Sequence, residues 1–181
     1  QRRHPVFTIR PAACRLRIDA FPSLERPETN SIHIAHTGTV ADSRIDAHAL
    51  DYFDCCRGYI GCSFHYIIMT DGTVEIGRDP NTISVRGRSP MRRLENLFVG
   101  VVGGLNHDTG KREDTITDAQ REAMANLEQA IADRLNKPLD VIDYTIDWTA
   151  RAKADEAEEA KEEALQVELD RAKHSAEEMA T

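Results

Sequence analysis

The chain has 181 residues, of which 40% are apolar and 30% charged, and its formal net charge is −8. That length holds one compact domain with something added to it. No run approaches the roughly 18 uninterrupted apolar residues of a membrane helix, so the sequence reads as soluble and no membrane association is expected. The acidic balance excludes direct nonspecific nucleic-acid binding by the body of the protein, because phosphates repel it.

The charge is unevenly placed. From Arg151 to Thr181 there are ten acidic and five basic residues, so this tail alone supplies −5, whereas the first seventeen residues carry Arg2, Arg3, Arg10, Arg15 and Arg17 and no acid. The start, Gln1-Arg2-Arg3-His4-Pro5, has no apolar stretch behind it and does not read as a signal peptide. Without an initiator Met, the numbering is expected to begin inside a longer or processed product. The four cysteines, Cys14, Cys55, Cys56 and Cys62, include no C-x-x-C pair. They fit a reducing compartment better than a disulfide scaffold.

In chain order, residues 1–29 form a basic arm in which Pro5, Pro11, Pro22 and Pro27 prevent a long helix. Phe7-Thr8-Ile9 and Leu16-Arg17-Ile18 alternate as short strands do. Ser31 to His36 reads as a buried strand, and Asp46 to Cys56 has helical spacing with Gly58 where a stop belongs. Phe64–Met69 and Thr73–Gly77 flank Asp71-Gly72, which predicts a hairpin with a tight type I′ turn. An Arg/Ser/Pro-rich loop from Arg86 to Arg93 follows. Leu97 to Val102 is a continuous apolar run suited to a central strand. Thr117 is a good N-cap for a helix whose face carries Met124, Leu127, Ile131 and Leu135, and Leu139 to Ile146 is a last strand. From Trp148 to the end the composition turns to Ala, Glu, Lys and Arg, strong helix formers. Leu165, Leu169, Ala172, Ala176 and Met179 form a short heptad seam there. The expected architecture is an α/β domain over 30–147, a central mixed sheet flanked by helices, plus a long charged C-terminal helix over 148–181.

Residues 64–79, FHYIIMTDGTVEIGRD, resemble the G-Y-H-F-I-I…D-G-T-V-E…G-R core of type 2 N-acetylmuramoyl-L-alanine amidases, which include small phage lysozymes and peptidoglycan-recognition proteins. IAHTGT (34–39), FVGVVGG (98–104) and TDAQREAMANL (117–127) resemble further family segments at the family spacing, so the likeness covers about residues 30–147. It implies the amidase/peptidoglycan-recognition fold and, in active members, a zinc ion held by two His and one Cys or Asp with an open position for water. A Tyr and, in phage lysozymes, a Lys assist there.

The same likeness implies a degenerate site. The first ligand position falls on Ala35, with His36 one residue on and on the opposite strand face. The Tyr falls on Phe64, and Tyr66 is expected to share that residue's face. Ile146, Arg151 and Lys153 fall at the remaining positions, Arg151 near the family Lys and Lys153 near the family Cys. After Leu139 the only His is His174 and there is no Cys, while Asp143 and Asp147 alone suit a harder cation than zinc. His33 shares a face with Ala35. His48 and His65 read as ordinary polar or half-buried residues, and His107 as solvent-facing.

These residues imply no cofactor and a catalytically inactive, phage-derived binding or structural module in a virion or the host cytoplasm. A protein partner would be met by the N-terminal arm and C-terminal helix, and peptidoglycan fragments by His33, Arg86, Arg88 and Arg92. The alternative is an active zinc endolysin with a relocated metal site built from His33, His36 and a cysteine such as Cys62. A further reading makes Cys62 a nucleophile on the same scaffold.

Overall fold

The computed structural model describes residues 8–11, 25–86 and 94–179. Eleven elements follow one another: β1 (Ile9–Pro11), β2 (Ser31–His36), β3 (Thr39–Val40), α1 (Ala47–Cys56), β4 (Tyr66–Ile68), β5 (Val74–Ile76), β6 (Asn96–Val101), β7 (Gly104–Leu105), α2 (Asp118–Leu135), β8 (Asp140–Asp143) and α3 (Trp148–Met179). Six strands form one mixed sheet in the order β1-β5-β4-β6-β2-β8, and β3 and β7 form a small second sheet. Only β4 and β5 pair antiparallel; the other neighbours in the large sheet are parallel. The architecture is the expected mixed α/β sheet with helices and a long C-terminal helix. Leu16-Arg17-Ile18 and Phe7 lie outside the described residues.

Strand alternation divides the apolar residues between two faces. Ile32, Ile34, Leu97, Val99 and Val101 meet Met124, Leu127 and Ile131 of α2, while Phe64, Ile67, Phe98 and Val102 meet Ala47 and Leu50 of α1. α2 begins on a capping box. The Gln120 amide donates to Thr117 Oγ1, and the Gln120 side chain accepts from the Thr117 amide. Gln120 is fully buried, and its Nε2 donates to the carbonyls of Ile68 and Val102 (3.3 and 2.9 Å). One side chain therefore joins a helix start to the ends of two strands. Asp46 caps α1 through the Ala49 amide, and Glu75 of β5 accepts from the Ala47 amide. Asn136, in the left-handed conformation (φ 49°), ends α2.

Three expectations change. Gly72 has a positive φ of 83°, but Asp71 does not, so the β4–β5 loop is no type I′ turn. The Gly72 amide donates to the Met69 carbonyl and the Met69 amide to the Thr73 carbonyl, the pattern of a longer loop closed by a left-handed glycine. A Cβ on Gly72 would lie 2.8 Å from the Ala119 carbonyl, which adds a packing reason for glycine. The last strand is shorter than Leu139–Ile146, because residues 144–147 already turn toward α3. Tyr66 and Phe64 do not share a face: Tyr66 packs on the α2 side and Phe64 on the α1 side. Phe64 lies before β4 and the chain bends at His65, so strand alternation does not carry across from Tyr66. The His65 carbonyl accepts from the amides of both Gly77 and Arg78 (2.9 and 3.4 Å).

His65 itself is fully buried, not half-buried. Its Nδ1 accepts from the Phe98 amide (2.9 Å) and its Nε2 donates to the Thr82 carbonyl (2.8 Å). This is the neutral tautomer, and burial lowers its pKa to about 3. With an unfolded value of about 6.5, the folded state binds the proton less well. Stability is therefore complete above pH ~6.5 and falls toward pH 3, by up to ~1.4 kcal/mol per pH unit from this group. Urea unfolding between pH 7.5 and 5, before most carboxylates titrate, is expected to show this slope, and His65→Gln to flatten it. Parallel curves for the two proteins would assign the loss to another group.

Candidate functional site

The positions singled out by sequence gather around the carboxyl-terminal half of β2 and its neighbours. Ala35 pairs with Gly100 of β6 and His36 with Val101. His33 and Ala35 lie on one sheet face and His36 on the other, so the site candidates divide between two environments.

On the first face Phe64, 2% exposed, lies against Gly100, where a Cβ would come within 2.9 Å of the ring. Only glycine allows that ring to rest on β6. Over the ring stands Arg86, its Cζ 3.7 Å from the centroid, a cation–π contact. Arg86 Nε donates to Ser63 Oγ (2.8 Å), the Arg86 amide to Ser84 Oγ (2.9 Å), and Ser84 Oγ to the Ser63 carbonyl (2.6 Å). Burial lowers the guanidinium pKa, opposed chiefly by Asp54. Buried Arg78 pins the flanking loops, donating to the carbonyls of Cys62 (2.6 Å), Ile83 (3.2 Å) and Ile60. Arg88 and Arg92 lie outside the described residues.

His33 is buried with both ring nitrogens engaged, Nδ1 with Tyr144 Oη and Nε2 with Ser31 Oγ, each at 3.1 Å. It is a hydrogen-bonding residue of the β2–β8 seam. Cys62 is fully buried in the α1 cluster, and burial pushes its thiol up to about 12. That suits neither a nucleophile nor a metal ligand, since both chemistries need the thiolate. The relocated site of His33, His36 and Cys62 is not assembled.

On the second face the His36 imidazole is shut from solvent, and neither ring nitrogen has a hydrogen-bond partner. It lies between Gly104 and Trp148, whose ring centroid is 4.9 Å away. Asp114 Oδ1 is 3.9 Å from its Nε2, beyond hydrogen-bond range and an ion pair only if the ring is protonated. Burial lowers the pKa, against the opposing pull of Asp114 and Asp143, so the ring is held neutral. Trp148 Nε1 donates to the Gly104 carbonyl (2.7 Å), and Arg112 covers its ring (5.3 Å). Sequence reading placed Trp148 only as a helix start; the single Trp of the chain, standing at the head of an otherwise Ala/Glu-rich helix, was the available signal. Ile146, Arg151 and Lys153 are exposed, in the turn after β8 and the first turns of α3.

These donors do not fit zinc. Ala35 presents a methyl group, His36 faces away from it, and no three His, Cys, Asp or Glu side chains among the described residues could hold a metal ion together. The rest of the scaffold matches known amidases. The endolysin of Klebsiella phage KP32 is 30% identical over 105 residues, covering 57% of this chain and 66% of that protein. The endolysin of Escherichia phage T7 is 26% identical over 103 residues with the same coverage. The chain thus spans just under two thirds of the length of these relatives. Among solved structures, the endolysin N-acetylmuramoyl-L-alanine amidase LysCS from Clostridium intestinale superposes with a TM-score of 0.56 at 19% identity, covering 78% of this chain and 82% of that one. Drosophila peptidoglycan recognition protein SD gives 0.51 at 17% identity, covering 66% and 70%. No family model matches. The chain has the amidase/peptidoglycan-recognition fold.

Within that fold, Trp148 is the contact that seats α3. Trp148→Ala is expected to cost about 2 kcal/mol in urea unfolding, less than for a fully buried Trp, and to speed trypsin cleavage in the first turns of α3. Trp148→Phe, which keeps a ring but loses the donor to Gly104, is expected to lose about 1 kcal/mol. Equal stability of all three proteins would show that the helix is seated by other contacts.

Proposed function

We propose that this chain is a phage amidase-fold protein that binds without hydrolysing, a module in which the zinc hydrolase chemistry of its endolysin relatives has been lost. The observation that carries the reading is strand parity at the end of β2. The position matching the family's first ligand is Ala35, and the neighbouring imidazole of His36 is turned to the opposite face and packed beneath Trp148. Moving His36 into the cleft would require slipping β2 by one residue, which would also take Ile32 and Ile34 out of the α2 core and put polar residues such as His33 in their place. The Phe64 ring lacks the hydroxyl that the family likeness implies, and a guanidinium lies on its face. A fixed cation beside a metal position opposes metal binding by simple repulsion.

The binding role has two candidate surfaces. The cleft face around Phe64 and Arg86 suits a peptidoglycan fragment. A protein partner would be met by the basic arm and by α3, where Leu165, Val167 and Leu169 are 68%, 51% and 48% exposed.

A working endolysin is the second reading, favoured by the 26–30% identity to phage endolysins and by a buried imidazole with two unpartnered nitrogens. Elemental analysis of the purified chain, together with release of soluble fragments from purified cell walls, separates the two. The expected result is less than about 0.1 zinc per chain and no release above buffer. Near-stoichiometric zinc with wall hydrolysis would establish the endolysin.

A further inference from the structure

Ion pairs tie α3 to the body at Asp155 and Glu159, through Arg112 and Lys111. Among the described residues beyond Glu159, side-chain hydrogen bonds and ion pairs stay within the helix. Leu165 and Leu169 are exposed on this stretch. With Ala172 they follow one another at steps of four and three, the spacing of a coiled-coil seam. A lone helix in water gains nothing from such a seam, because its apolar side chains stay hydrated. Val167 stands on the opposite side of the helix and is outside the seam. The borders of the seam carry complementary charge. Glu168 precedes Leu169 on one border and Lys173 follows Ala172 on the other, and residues spaced five apart in this way face each other across a parallel pair of helices. Both are exposed, and Lys173 has one ion pair among the described residues, at 3.9 Å with Asp170 of its own helix.

We propose that α3 pairs in parallel with α3 of a second copy of this chain, burying Leu165, Leu169 and Ala172 and setting Glu168 of each copy beside Lys173 of the other. The orientation follows from the same residues. In parallel register each leucine meets its own equivalent, and two Glu168–Lys173 pairs form. An antiparallel pair centred on these leucines would set Glu168 against Glu168 and lay Ala172 across from Glu162, so charge and apolar matching both select the parallel form. The two preceding seam positions are Glu158 and Glu162. Their carboxylates repel across a parallel pair, so contact begins at Leu165 and the helices diverge toward the two bodies. The inference rests on the part of the reading above that gives α3 to a protein partner, and it names that partner.

The test is sedimentation equilibrium of the full chain. A seam with two leucines per chain is short, so a weak monomer–dimer equilibrium is expected within the range from about 10 μM to about 1 mM. Leu165→Asp and Leu169→Asp are each expected to leave the protein monomeric throughout that range. Should either aspartate unravel α3, seen as lost helical circular dichroism, Leu165→Ala and Leu169→Ala carry the comparison, since alanine keeps the helix propensity. Glu168→Gln is expected to weaken the dimer about threefold. Glu168→Lys and Lys173→Glu are each expected to weaken it further by repulsion, and an equimolar mixture of those two proteins to associate more tightly than either alone. Effects within one helix are the same in the mixture as in its components, so that gain reports only the contact between copies. A protein monomeric at every concentration, or a dimer that survives loss of both leucines, would overturn the proposal. A dimer tightened by Glu168→Gln would overturn the parallel arrangement, and a mixture no tighter than its components would overturn the charge pairing. Zinc content and wall hydrolysis decide whether the chain is a hydrolase, and self-association decides this inference, so the two failures are separately visible.

Discussion

The cleft face depends on one buried imidazole. His65 has no water to fall back on, and its two nitrogens are satisfied by one backbone donor on β6 and one backbone acceptor in the loop after β5. That arrangement fixes three things together. It holds the bend at His65, whose carbonyl accepts from both Gly77 and Arg78 and before which Phe64 packs on the α1 side. It anchors Thr82, and through the short path to Ser84 it sets where Arg86 begins. It also leaves room for Arg78, whose guanidinium satisfies three loop carbonyls that would otherwise be buried without donors. Had His65 been an apolar residue of similar size, the Phe98 amide and Thr82 carbonyl would each have lost a partner, at about 1–3 kcal/mol apiece.

Strand parity then decides what the face can do. A residue and its successor on a strand look to opposite sides, so His36 cannot serve the cleft however close it lies in sequence. Its imidazole instead fills the space between Gly104 and Trp148, where a neutral aromatic ring is worth more than a charged one. Gly104 is needed there because its φ of 103° and its contact with His36 both exclude a side chain. The two faces of β2 thus carry different tasks: the α1 side presents Ala35, Phe64 and Arg86, and the α2 side closes over Trp148.

Much of this was legible in the residues, for identifiable reasons. Asp46, Thr117 and the apolar run Leu97–Val102 encode their elements locally, through cap chemistry and hydropathy, and such signals survive any tertiary context. Strand β2 was likewise readable, as the buried run Ser31 to His36. What failed were properties set by distant partners. The faces of Phe64 and Tyr66 are decoupled by the bend at His65, which is held by Phe98 and Thr82. The turn at Asp71-Gly72 is shaped by Ala119 of α2 and by Thr117 Oγ1, which donates to the Thr70 carbonyl. The burial of His65 depends on Phe98 and Thr82, 33 and 17 residues away. No local pattern carries that information.

The composition change at Trp148 has a physical reason in the way α3 leaves the domain. Its contacts with the body use Trp148, then Asp155 with Arg112 (3.4 Å) and Glu159 with Lys111. Both ion pairs are 40–51% exposed on their side chains, and pairs of that kind contribute about 0–1 kcal/mol. The anchor is therefore mainly the indole. Beyond Glu159, the side-chain hydrogen bonds and ion pairs of the described residues are those within the helix itself, Gln166 with Asp170 and Lys173 with Asp170. A helix without a tertiary face must be held by propensity and by pairs three or four residues apart. Ala, Glu, Lys and Gln supply that, and β-branched or aromatic residues would not. The Ala/Glu-rich sequence after Trp148 is thus what a helix extending away from its core requires, and Leu165 and Leu169 stand out in it because no contact with the amidase-like body explains them.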